Sequence, residues 1–231
     1  MSWAFTGQAA DDVLNSAIKD QEFRYEESKK TRRFWIKEIG VSKSVTFVDG
    51  LKHPKGYDLP FRFMEHDVIL FIGGKQQRRQ FSCCGKDCIL CAQGNRAYLA
   101  EASTIIDHTE FVGKDGKQHK DELRLLVAKI TVQGILKKYR DKKKSLRGWK
   151  FDVSRATGQS ATTGDQFILD EHTELDASIQ PPDYFELLAP KSQEDMKKIL
   201  AGLNPTSPVG YNDAVATADI STSEEDAPIR F

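Results

Sequence analysis

Phe81-Ser82-Cys83-Cys84-Gly85-Lys86-Asp87-Cys88-Ile89-Leu90-Cys91 holds all four cysteines of the chain within nine residues. A disulfide framework spreads its cysteines to close large loops, and this cluster closes none. Tight clustering points instead to metal or redox chemistry. Cys88 and Cys91 form a C-x-x-C pair, the spacing at which one turn directs two thiolates at one ion. Zinc in a closed structural site takes four Cys or His ligands in a tetrahedron. Cys83 and Cys84 are both sterically able to supply the third, with Gly85 allowing a tight turn. A histidine then completes the set: His66, seventeen residues before Cys83, comes first, His108 second, and His53, His119 and His172 follow. Zinc deaminases join such cysteines to a His-x-Glu element. Here Glu65 precedes His66 and Val68 stands two after it, so that signature is absent. A nuclease or other metal enzyme would need clustered carboxylates, and the acids here are scattered or confined to helices and the tail, so a binding protein, not an enzyme, is expected.

Outward from the knuckle the pattern is of many short strands. Alternation predicts strands over 32–39, 44–48 and 61–72, the last interrupted near Glu65-His66-Asp67, with Gly73-Gly74 as a turn. Tyr98 to Asp107 and Leu123 to Ile130 read as paired strands joined by a loop around Lys114 to Lys117. Trp149 to Arg155 and Gln166 to Leu169 read as a hairpin with a long tip. Helical spacing of Val13, Leu14, Ala17 and Ile18 predicts a helix over 11–30; Val132, Ile135, Leu136 and Tyr139 predict another over 132–144. Pro181-Pro182 ends the compact region except for a last helix over 192–201. The fold class is therefore β-rich α+β: an OB-fold-like barrel with an inserted zinc knuckle and a few helices. Its expected parts are an N-terminal helical extension (1–30), a zinc-containing core (31–203) and a disordered acidic tail (204–231).

The 231 residues are 39% hydrophobic and 29% charged, and 34 basic residues balance 34 acidic ones. No apolar run approaches the ~18 residues that span a membrane, and Met1 to Asp12 lacks a secretion signal, so a cytoplasmic location is expected. Zero net charge hides segregation. From Lys129 to Arg155 there are ten basic and two acidic residues; from Asn204 onward there are five acidic and one basic. Binders of single strands join a basic groove to rings on which bases stack. Three stretches have that mixture: Arg32, Arg33, Trp35 and Lys37; Arg78 and Arg79 beside the knuckle; and Lys137, Lys138, Arg140, Lys143, Arg147, Trp149 and Lys150. Trp35 shares its strand face with Arg33 and Lys37, which favours exposure, whereas Phe34 and Phe151 suit a core. The acidic end, with Glu224, Glu225, Asp226 and terminal Phe231, suits docking to partner proteins and competition with DNA for the chain's own basic groove.

The knuckle, preceded by His66, resembles that of phage single-stranded-DNA-binding proteins of the gene-32 type, in which one His and three Cys hold zinc within an OB-fold core. Against the pattern C-x-G-x-D-C-x-x-C, Cys83, Cys88 and Cys91 match and Cys84 takes the variable place, so the resemblance selects Cys83. The stretch Trp149 to Gly158, with Arg155-Ala156-Thr157-Gly158, resembles the family's strand and Arg-x-Thr-Gly turn. The likeness spans roughly Lys30 to Leu188, and the tail separately resembles the acidic tips of single-strand binders, although Arg230 departs from their Asp-Ile-Pro-Phe form. The resemblance implies sequence-independent coating of single-stranded DNA, self-association along it, partners in replication, recombination and repair, and the cytoplasm of a phage-infected bacterium. Asp11, Asp12 and Asp20 are unlike the family's basic cooperativity arm. A zinc-stabilised adaptor or transcription regulator recruiting partners through the tail is the alternative.

Overall fold

The computed structural model describes residues 32–72, 75–112 and 118–200, together with 7, 8, 11, 14 and 15. Most of the expected N-terminal helix, the Gly73-Gly74 turn, the 114–117 loop and the tail with Glu224, Glu225, Asp226 and Phe231 lie outside the described residues. The strands are β1 (Ser42–Phe47), β2 (Phe61–Ile72), β3 (Lys75–Ser82), β4 (Tyr98–Asp107), β5 (Phe111–Val112), β6 (Gln118–His119), β7 (Glu122–Ala128), β8 (Trp149–Ser154) and β9 (Gln166–His172). The helices are α1 (Ile89–Ala92), α2 (Ile130–Lys143), α3 (Tyr184–Leu187) and α4 (Gln193–Leu200). Seven strands form one antiparallel sheet in the order β3-β2-β4-β1-β8-β9, with β7 also pairing β4. The expected β-rich class is seen; among the described residues no pairing closes the sheet into the expected barrel. The chain packs as two compact units, one containing Glu65–Ala97 and the chain from Pro190, the other containing Ser28–Met64 and Tyr98–Ala189.

In the second unit period-two alternation sets the core. Val45 and Phe47 of β1 turn inward and meet Ile105, Phe151, Val153 and Phe167. Phe47 meets Phe151 edge-on at 5.3 Å between ring centres, a favoured aromatic geometry. Helix α2 covers this core through Val132, Ile135, Leu136 and Tyr139, the stripe read from its spacing, and the Tyr139 hydroxyl donates to the Phe167 carbonyl at 2.7 Å. Gly148, at φ +79°, turns the chain from α2 into β8; its N–H reaches Phe47 O and its carbonyl accepts from Thr173 N, both at 2.8 Å. A Cβ there would strike the Thr173 carbonyl.

Three local expectations need correction. Residues 32–39 are not a strand: only Arg33 bridges, to Leu125 of β7. The segment instead drops Phe34 and Ile36 into the core like pegs while Trp35 faces outward. Its backbone is held by Leu125, by Thr162 and by buried Arg155, whose guanidinium donates to the carbonyls of Ile36, Lys37, Gly158 and Ser160. Strand β2 runs unbroken through Glu65-His66-Asp67, because β3, unrecognised in the polar run Lys75 to Ser82, pairs with it there. Compact structure also continues past Pro181-Pro182: Tyr184 is fully buried among Ala100, Ala102, Leu125 and Val127.

Tyr184 also closes a polar network. Its hydroxyl lies 2.8 and 3.0 Å from the Asp49 carboxylate oxygens and 2.6 Å from Thr104 Oγ1, and Thr104 N donates to Asp49 at 3.3 Å. Burial pushes the Asp49 carboxyl up to about 7, against the opposing hydrogen bonds from Tyr184 and Thr104. The folded chain thus retains a proton that the unfolded chain loses near pH ~4. Its contribution to stability is complete below that pH and is lost as pH rises to about 7. Asp49→Asn removes the titration, so the difference in melting temperature between variant and wild type shifts in the variant's favour from pH 4 to pH 8. Thermal melts across that range check this.

Candidate metal centre

The first unit brings the knuckle's donors to one point. His66 is paired with Phe81 across the β2–β3 ladder, so Cys83, two residues further along, emerges beside it. Gly85, at φ +88°, turns the chain back: its N–H reaches Cys83 Sγ at 3.4 Å and its carbonyl accepts from Cys88 N at 3.1 Å. Cys88 stands at the start of α1 and Cys91 within it.

The ligand atoms of His66, Cys83, Cys88 and Cys91 all lie within 4.8 Å of one another. His66 Nε2 is 3.3 Å from Cys88 Sγ and 3.6 Å from Cys91 Sγ; Cys83 and Cys91 Sγ are 3.7 Å apart. With Zn–S near 2.3 Å and Zn–N near 2.0–2.1 Å, a tetrahedron has S···S edges of about 3.8 Å and N···S edges of about 3.6 Å. The residues therefore fit zinc. Four protein donors complete the tetrahedron, which is the form of a structural site with no position for a reacting water. Cys84 is exposed and outside the set, resolving the choice left open by spacing. His108 is elsewhere, bonded to Thr46 and Asp121, and His53 is bonded to the carbonyls of Pro181 and Pro182.

The surroundings act unequally on the donors: desolvation and hydrogen bonds with the Cys83 and Cys88 thiols push the Cys91 thiol up to about 11. His66 is fully buried and Cys88 is nearly so. Burial resists ionisation of Cys88, but backbone N–H groups of Cys91, Cys84 and Leu90, with the Cys83 thiol, outweigh it and bring the thiol to about 6. Asn95, which nothing in the sequence marked, accepts from His66 Nδ1 at 2.9 Å through Oδ1 and donates to Asp67 O at 2.8 Å through Nδ2. With the proton held on Nδ1, the Nε2 lone pair faces the sulfurs, the outer-shell arrangement typical of metal-binding histidines.

The basic residues singled out in the sequence differ in their surroundings. Arg140 lies 2.7 Å from buried Glu101, Arg147 donates to the carbonyls of Val48, Asp176 and Ile179, and Lys150 pairs with Asp170 and Glu171. Arg78 bonds Asp67, Arg79 and Arg33 are half-buried, and Arg32 reaches Glu122 at 3.5 Å. Lys37, two residues after Trp35, and the lysines of α2 are exposed, as are Arg32 and Arg78. At the C-terminal half of α2 Lys137 pairs with Asp141, while Lys138, Lys142, Lys143 and Lys144 have no carboxylate partner among the described residues. Lys143 Nζ lies 4.1 Å from the centre of the half-buried Trp149 ring.

Comparison with protein-family models, curated proteins and solved structures finds no match. Among the described residues no helix is long and apolar enough to cross a membrane. The fold and the site define a β-rich chain with a His/Cys₃ centre compatible with zinc.

Two substitutions test the centre. Cys88→Ser should lose bound zinc and melt at lower temperature, read by metal analysis and calorimetry. Asn95→Ala should keep all four ligands yet bind metal about 10–100-fold more weakly, read by cobalt(II) titration followed through the thiolate charge-transfer band.

Proposed function

We propose that this chain binds single-stranded DNA without sequence preference and that zinc on His66, Cys83, Cys88 and Cys91 holds its knuckle folded. The observation that carries the proposal is the end of α2. Four lysines without carboxylate partners among the described residues, Lys138, Lys142, Lys143 and Lys144, stand together there, with Lys143 resting on Trp149. Cations at a helix C-terminus are favoured by its dipole and remain available for phosphates. A lysine over an indole face is a contact that a nucleobase can replace by stacking. Exposed Trp35, two residues before exposed Lys37, supplies a second ring. The knuckle spacing supports kinship with gene-32-type proteins, and the β-rich antiparallel sheet suits an OB-like core. On this reading the acidic tail, through Glu224, Glu225, Asp226 and Phe231, engages replication and recombination proteins in an infected bacterial cell.

The role of the metal is to fix the knuckle, while the phosphate and ring contacts come from the chain's own lysines and tryptophans. Arg140 and Arg147 are engaged with groups inside the fold, so their replacement should disturb the fold before it disturbs binding.

The test is titration of zinc-loaded protein with oligo-dT and matched duplex at several salt concentrations. Oligo-dT should bind tightly, quench tryptophan fluorescence and bind much more weakly as salt rises. Replacing Lys138, Lys142, Lys143 and Lys144 by Gln should reduce the salt slope by about 0.7 for each phosphate that is no longer neutralised. Equal affinity for duplex, or none for oligo-dT, would overturn the proposal in favour of a protein-recruiting adaptor.

A further inference from the structure

Helix α4 is eight residues long, well below the ~12–15 at which isolated helices become even marginally stable in water. Its N-terminus is capped locally: Ser192 Oγ accepts from Asp195 N at 3.1 Å and donates to the Asp195 carboxylate at 2.7 Å. What holds the helix is its apolar side. Met196 is buried in a cluster with Val68 and Leu70 of β2 and with Cys88 and Leu90 of the knuckle, and Ile199 and Leu200 pack on the same cluster. Gln193 Nε2 donates to the Asp87 carbonyl, inside the knuckle, at 2.8 Å.

The surface receiving α4 is therefore partly made of the metal-binding loop. That loop has one four-residue helix and no core beyond this cluster among the described residues, so the four ligands and the ion joining them set its shape. We infer that occupancy of the His66–Cys83–Cys88–Cys91 centre and docking of α4 are linked equilibria: the metal shapes the knuckle on which Met196 and Gln193 seat, and the seated helix strengthens metal binding in return. The chain from residue 201 to the acidic terminus leaves from the end of α4.

The inference rests on the zinc reading and is independent of DNA binding. Linkage is reciprocal, with coupling typically in the range of roughly 5–150-fold. The experiment is amide hydrogen exchange on the full chain, zinc-loaded and after chelation, with the amides of β8 in the second unit as internal reference. Chelation should raise exchange across 193–200 by at least about fivefold while β8 is unaffected. In the reverse direction, Met196→Asp and the milder Gln193→Ala should each weaken cobalt(II) binding while leaving the charge-transfer spectrum at saturation unchanged. Equal protection of 193–200 with and without metal, or wild-type cobalt affinity in both variants, would overturn the linkage. Failure of the wild-type chain to bind zinc or cobalt would overturn the metal assignment itself.

Discussion

Convergence of four donor atoms on one point is the constraint that organises the first unit. His66 shares the inward face of β2 with Val68 and Leu70. Because side chains alternate along a strand, a one-residue slip against β3 would turn all three outward together. The polar sequence of β3 has little apolar pattern with which to choose a register. The pairing of His66 with Phe81 is what delivers Cys83 to the centre, and the turn at Gly85 returns the chain so that Cys88 and Cys91 meet it. The ligand geometry, the β2–β3 register and the apolar cluster beneath the knuckle are thus one requirement expressed in three ways. Asn95 extends it outward by holding the imidazole in the single tautomer that serves the centre.

The second unit is organised by burial of a different kind. Its apolar core is continuous from β1 through β8 to α2, and Phe34 and Ile36 fill it from a segment with almost no ladder pairing. Buried polar groups then join distant parts of the chain. Glu101 is fully buried and is reached by Arg62 and Arg140, each with a nitrogen within 3.1 Å. Asp49 meets Tyr184 across 135 residues of sequence. Such groups are costly to bury unless partnered, so each specifies one arrangement of the elements it connects.

Charge is divided by the same packing. Arginines, with forked and weakly hydrated head groups, take the internal posts: Arg140 on Glu101, Arg147 and Arg155 on clusters of carbonyls. Lysines, whose compact ammonium groups prefer water, are left at the surface end of α2. A basic stretch that reads as uniform along the sequence separates into arginines held by protein groups, Lys137 and Lys150 paired with carboxylates, and solvent-facing Lys138, Lys142, Lys143 and Lys144.

Local pattern alone determined a good deal. Four cysteines in nine residues and a histidine upstream pointed to donors that the fold brings together, because ligand chemistry and spacing are properties of a short stretch. Alternation placed β4 and the β8–β9 hairpin, and the 3.6-residue stripe of Val132, Ile135, Leu136 and Tyr139 placed α2 and its buried face. Tertiary structure decided the rest. Cys83 prevailed over Cys84 through the register of β2 with β3, a pairing the polar β3 sequence does not announce. Residues 32–39 gave up strand pairing to the stronger demand of seating Phe34 and Ile36 in the core. Asn95, Tyr184 and the division between structural arginines and exposed lysines were invisible beforehand for one reason: each depends on a partner distant in sequence, and only the folded chain brings the two together.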